Sequence, residues 1–157
     1  MSELVKFLEA RFADDERDAR AAAAANPGAA ATHWVAEQVD HRSSTGLRGT
    51  AWAVVPERVK GVAIAISPSG VRPLLVTHIA RHDPARVLAE IEAKQRILRA
   101  HPLSRAEMKE PGKPAYGCAT CHYHSEYGVL GSGECDTLRM LALPYAGHEG
   151  FKAEWRI

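Results

Sequence analysis

The sequence predicts an α+β fold, with a small antiparallel β-meander packed against one long helix and an N-terminal helix, and a zinc-stapled C-terminal segment. Three observations lead there. Apolar residues recur at helical spacing near the start and again after Asp83, they alternate through the middle, and all three cysteines fall within residues 118–135. A chain of 157 residues fits one domain, 1–157. It divides into an N-terminal helix over 1–25, a meander over 32–77, a long helix over 83–101 and a cysteine-rich zinc-binding segment with a C-terminal helix over 101–157.

In the first helix Ser2 offers an N-cap, and Leu4, Val5, Leu8 and Phe12 share a face. Glu16 stands four residues before Arg20, a favourable helical ion-pair spacing, and Asn26-Pro27-Gly28 stops the helix. The period then changes. His33–Val39, Thr50–Val55, Val62–Ser67 and Val71–Thr77 all read as strands, with Pro56–Gly61 and Ser67–Gly70 as turns between them. Short connections favour antiparallel pairing, and the polar stretch His41–Gly49 reads as a surface loop.

The long helix has the clearest local signals. Asp83 is a good N-cap, and Pro84 suits the first helical position, where no amide donor is needed. Val87, Leu88, Ile91 and Leu98 form its core stripe, and Arg86–Glu90, Glu90–Lys94 and Glu92–Arg96 are opposite charges four apart. His101-Pro102 ends it, because a residue before proline avoids helical geometry. A short helix over Asp136–Leu143 follows, ended by Pro144, and Tyr145, Phe151 and Trp155 anchor the last segment on the core.

Composition excludes several function classes. Net charge is +1, with 25% charged residues, so no bulk charge drives the chain onto nucleic acid. The average conceals an acidic first helix and a mildly basic stretch over Arg72–Lys109, both read as solvated faces. There is no run of about 18 apolar residues to enter a membrane. The N-terminal residues lack the pattern of a secretory signal, so the expected location is cytoplasmic, where thiols stay reduced. An odd cysteine count also disfavours a disulfide framework.

The cysteines carry the chemistry. Cys118 and Cys121 form a CxxC pair flanked by glycine-containing turns that can point both thiolates at one ion. Cys135 arrives after thirteen intervening residues, at the start of the last helix, where a thiolate is favoured. Thiolates select zinc among common cellular metals, and a closed structural site takes four ligands. His101 is the preferred fourth ligand, because it would staple the cysteine loop to the long helix; His124 and then His122 are the alternatives. A thioredoxin-like redox pair is disfavoured, since no βαβ pattern surrounds the CxxC. Cys118-Ala119-Thr120-Cys121-His122 also matches the CxxCH attachment motif of c-type haem, with His122 as axial ligand and Met108, Met140 or another histidine opposite; that reading leaves Cys135 unexplained.

No catalytic set nominates itself. His78-Ile79-Ala80-Arg81-His82 places two imidazoles four apart but lacks the glutamate of HExxH, and reads as an exposed helix entry. There is no GxSxG, no phosphate-cradling glycine loop and no paired-carboxylate motif. The sequence therefore points to a non-enzymatic, zinc-stabilised binding module whose partner is a protein or a nucleic acid. The alternative is a metal-dependent enzyme with an open zinc position and Glu126 or Glu134 as the nearby base.

The segment His78–Leu88 followed by Glu92-Ala93-Lys94, the segment Cys135–Ala146, the terminal Glu154-Trp155-Arg156 and the helix Leu4–Asp18 together resemble a family of small uncharacterised proteins from actinobacteria and their phages. The resemblance does not extend to Thr32–Val76. It implies a cytoplasmic setting and no mechanism, and it implies the set His101, Cys118, Cys121 and Cys135, since members look similar in having a histidine after the long helix, then CxxC, then the cysteine of the CxTLR segment.

Overall fold

A computed structural model describes residues 2–25, 32–42, 46, 48–57, 63–67, 73–106, 115–121, 124–125, 128–129 and 135–157. In chain order it contains α1 (Glu3–Ala24), β1 (Trp34–Arg42), β2 (Arg48–Pro56), β3 (Ala65–Ser67), α2 (Pro73–Arg81), α3 (Pro84–Ala100), β4 (Leu103–Ala106), β5 (Ala115–Cys118), β6 (His124–Ser125), β7 (Gly128–Val129) and α4 (Asp136–Ala142), then single 3₁₀ turns at Leu143–Tyr145 and Ala153–Trp155. The architecture is α+β, as its sequence predicts. Two compact units can be drawn, Asp15–Glu90 and Met1–Asp14 with Ile91–Ile157. No helix among the described residues is long and apolar enough to cross a membrane.

In the Asp15–Glu90 unit, β1 and β2 form an antiparallel hairpin in register from Trp34↔Pro56 to Arg42↔Arg48. The polar stretch expected to be a loop over His41–Gly49 is thus partly strand: the ladder runs out to Arg42 and resumes at Arg48, and Gly46 adopts φ +85°, which L side chains rarely accept. β3 adds to β2 through Trp52↔Ser67, Ala53↔Ile66 and Val54↔Ala65, completing a three-stranded meander. As the central strand, β2 is covered on both faces, and Ala53, Val54 and Val55 are all buried.

Of the fourth expected strand, Val71–Thr77, the described residues from Pro73 onward are instead the start of a helix, and Val71 and Arg72 lie outside the described residues. α2 begins at Pro73, whose fixed φ suits a first helical position, and Val76 and Ala80, four apart, pack on Val54 with Trp34, Ala36, Trp52 and Ile64 around them. A short apolar run reads equally as strand or helix from its periodicity, and here the sheet face it covers decides. Leu74, Leu75 and Ile79 are left exposed on the other side. His78 and His82 consequently lie at the end of this helix rather than at the entry of the next.

Asp83 caps α3. Its Oδ1 accepts from the Arg86 amide at 2.7 Å, its Oδ2 accepts from the Trp34 amide at 3.3 Å, and His33 Nδ1 lies 3.4 Å from Oδ2. One carboxylate thereby satisfies a helix terminus and fixes the start of β1. Asp83→Ala should lower stability by about 1–2 kcal/mol, the usual cost of losing a cap, with Asp83→Asn costing less; urea unfolding of the two variants measures it. Arg86–Glu90 and Glu92–Arg96 pair as their spacing predicts. Lys94, expected to face Glu90, has its ammonium 6.0 Å from the Phe12 ring centre and 5.8 Å from that of Tyr145.

In the other unit, Leu4, Leu8 and Phe12 of α1 are almost fully buried, with Ile91 of α3 and Leu138, Ala142 and Trp155 of the C-terminal part. Ser2 caps α1 as expected, its hydroxyl accepting from the Val5 amide at 3.2 Å. Phe7 gathers the C-terminal rings, with Trp155, His148, Phe151 and Tyr145 centred 5.1–6.3 Å from it. Lys152 pairs with Glu3 and holds its carboxyl below the usual range. Sequence periodicity gave no sign of β4 and β5, which are too short for alternation to show.

Candidate metal centre

The local fold after α3 is built around residues 100–106 and 115–121. The helix ends at Ala100, and His101 follows with its amide donating to the Leu98 carbonyl at 3.2 Å. Pro102 forces extended backbone, and β4 starts at once, pairing Leu103 with Cys118 and Ser104 with Gly117 of β5. That register sets Cys118 beside the helix end. Two further bonds hold the CxxC turn there: the Ala119 amide donates to the Pro102 carbonyl at 2.9 Å, and the Thr120 hydroxyl donates to the Ala100 carbonyl. The latter is one of the carbonyls that a helix C-terminus leaves without an intrahelical partner. The turn closes on itself through the Cys121 amide, 3.4 Å from Cys118 Sγ.

Cys135 comes from the other direction. It is the N-cap residue of α4, with φ −73° and ψ 159°, and its carbonyl accepts from the Leu138 and Arg139 amides at 3.0 and 3.1 Å. Burial of Leu138 and Ala142 fixes α4, and therefore the position of Cys135.

The ligand atoms of His101, Cys118, Cys121 and Cys135 all lie within 4.8 Å of one another. The histidine faces the sulfurs through Nδ1, at 3.4 Å from Cys118 Sγ, 3.2 Å from Cys121 Sγ and 3.6 Å from Cys135 Sγ. One ring nitrogen holds a single proton or a single lone pair, so it cannot satisfy three sulfurs by hydrogen bonding. A metal ion between them can. Bond lengths of about 2.3 Å to sulfur and 2.0–2.1 Å to nitrogen, in a tetrahedron, separate the two ligand atoms by about 3.5 Å. The three observed separations bracket that value. These four residues are close enough to hold one metal ion, all of them supplied by the protein.

Their electrostatics differ. Burial raises the Cys118 thiol, but the Cys121 and Thr120 amides and the His101 ring outweigh it and bring it down to about 7, so a large share is thiolate near neutrality. Burial pushes the Cys135 thiol up to about 11, with the neighbouring sulfurs adding to it. A cation in the cluster reverses that balance, since a coordinating thiol is deprotonated. Cys118 is buried, Cys135 half-buried and Cys121 exposed.

Of the other expected ligands, His122 lies outside the described residues, and His124 is placed only as the first residue of β6. Met108, Glu126 and Glu134 also lie outside them, while Met140 is exposed on α4. The haem reading needs both CxxC sulfurs for thioether bonds; here both sulfurs face the same nitrogen as Cys135. Sequence reasoning missed two supporting hydroxyls. Thr120 ties the turn to α3, and Thr137 Oγ1, in the first turn of α4, lies 3.9 Å from Cys121 Sγ. Their only sequence signal is a threonine immediately before one cysteine and another two residues after Cys135.

The whole chain, residues 1–157, matches DUF6221, a family of unknown function, and belongs to it. No curated protein and no solved structure matches.

Proposed function

Starting from membership of a family without an assigned activity, we propose that this chain is a zinc-stabilised cytoplasmic binding module, in which the ion is structural and the partner is a protein or a nucleic acid. The observation that carries it is the convergence of three sulfurs and one imidazole nitrogen within 4.8 Å. Cys₃His is a closed structural zinc set: all four tetrahedral positions are filled by protein, leaving none for a substrate or an activated water. Thiolate-rich coordination favours zinc over magnesium, calcium or manganese. The ligands come from the end of α3, the end of β5, the turn after it and the N-cap of α4, so one ion links segments that are up to thirty-four residues apart in the chain. Holding those segments is a folding role, because binding energy at such a site is folding energy. Reduced, unpaired cysteines suit a cytoplasmic setting.

Elemental analysis with native mass spectrometry tests this reading. The purified chain should carry one zinc per molecule with no Soret absorption, and a strong chelator should lower its thermal midpoint. A haem spectrum, or a chain equally stable with no metal, would overturn it. Nucleic acid as partner requires duplex binding that weakens steeply with salt. A zinc-bound water visible as a fourth, exchangeable ligand would turn the reading to the metal-dependent enzyme.

A further inference from the structure

A second pair of potential ligands lies at the end of α2, remote in sequence from the cysteine cluster. His78 and His82 are four residues apart and exposed, with ring centres 4.4 Å apart and planes inclined by 46°. The backbone has prepared one of them. The His82 amide donates to the Ile79 carbonyl at 3.1 Å, as in a 3₁₀ turn, and the His82 ring takes up the His78 carbonyl instead, Nδ1 lying 2.9 Å from it. A carbonyl can only accept, so Nδ1 carries the proton, and in the neutral ring Nε2 is the nitrogen with the lone pair. Metal-binding imidazoles are ordinarily held this way, one ring N–H on a carbonyl and the other nitrogen free. The His78 ring stands one turn earlier, next to it. The C-terminal end of a helix carries partial negative charge and favours a cation nearby.

We propose that His78 and His82 form a second metal site, for a divalent transition-metal ion of the nickel and zinc class, with the two imidazoles as protein ligands and water completing the shell. Two ligands on an exposed surface, with Arg81 between them in the sequence, make it a weak and exchangeable site. It does not depend on what fills the cysteine cluster.

Nickel titration of the zinc-treated chain at pH 7.5, followed by calorimetry and by broadening of histidine ring resonances, provides the test. The native chain should take up one more nickel ion than His78→Ala or His82→Ala, or bind it about tenfold or more tightly, with the resonances of His78 and His82 broadening first. Both variants should keep the zinc content and the circular dichroism of the native chain. The proposal fails if the native chain and both variants bind nickel alike, or if the broadening falls on other histidines.

Discussion

His101→Ala should weaken zinc binding by more than about 100-fold, the upper range recorded for losing a mere outer-shell partner. His101 Nδ1 is the atom on which the three sulfurs converge, at 3.2–3.6 Å, so its removal leaves three thiol groups facing one another with one position open to water. The chain should then lose zinc to a chelator that the native protein resists, and should unfold earlier. His124→Ala is the control and should retain the ion. Zinc kept by His101→Ala and lost by His124→Ala would make His124 the fourth ligand instead. A competition titration with a chromophoric chelator reads both variants on one scale. Far-ultraviolet circular dichroism taken alongside separates loss of a ligand from loss of fold.

Phe12→Ala should cost about 3–5 kcal/mol, through lost transfer energy and the cavity left behind. Phe12 is 1% exposed, with Leu8 one turn before it also fully buried and Tyr145 centred 6.3 Å away. The ring also carries the Lys94 ammonium over its face, a contact no aliphatic residue replaces. Against a typical total of about 5–15 kcal/mol, such a loss is a large fraction of the stability. Phe12→Leu, which keeps most of the volume, should cost much less. Urea unfolding should show the midpoint falling with an unchanged slope. A midpoint within error of the native value would mean that the Phe12 side chain is not packed as described.

Where side chains act on their own neighbours, the sequence is readable. Ser2, Asp83-Pro84 and the Glu16–Arg20, Arg86–Glu90 and Glu92–Arg96 pairs are all found as their spacing predicts, because a cap or an i,i+4 contact is decided within one helical turn. The Val71–Thr77 segment misleads for the opposite reason. Its apolar run fits a strand or a helix, and only the sheet surface around Val54 selects the pattern in which Val76 and Ala80 face inward. The contact of Lys94 with the rings of Phe12 and Tyr145 has no local signal, because those rings come from distant parts of the chain.

The candidate centre divides along the same line. By itself the sequence determined the chemistry: three soft thiols, two of them three residues apart, and a choice of nearby imidazoles. It left three histidines in contention, because spacing restricts a ligand only over a few residues. Tertiary structure brings the His101 imidazole to the sulfurs. The Leu103↔Cys118 pairing and the Thr120 bond to Ala100 bring the CxxC turn back to the end of α3, and packing of Leu138 delivers Cys135 to the same point. Both are long-range contacts, whose closure is set by backbone pairing and core burial across many intervening residues, and no local pattern encodes that.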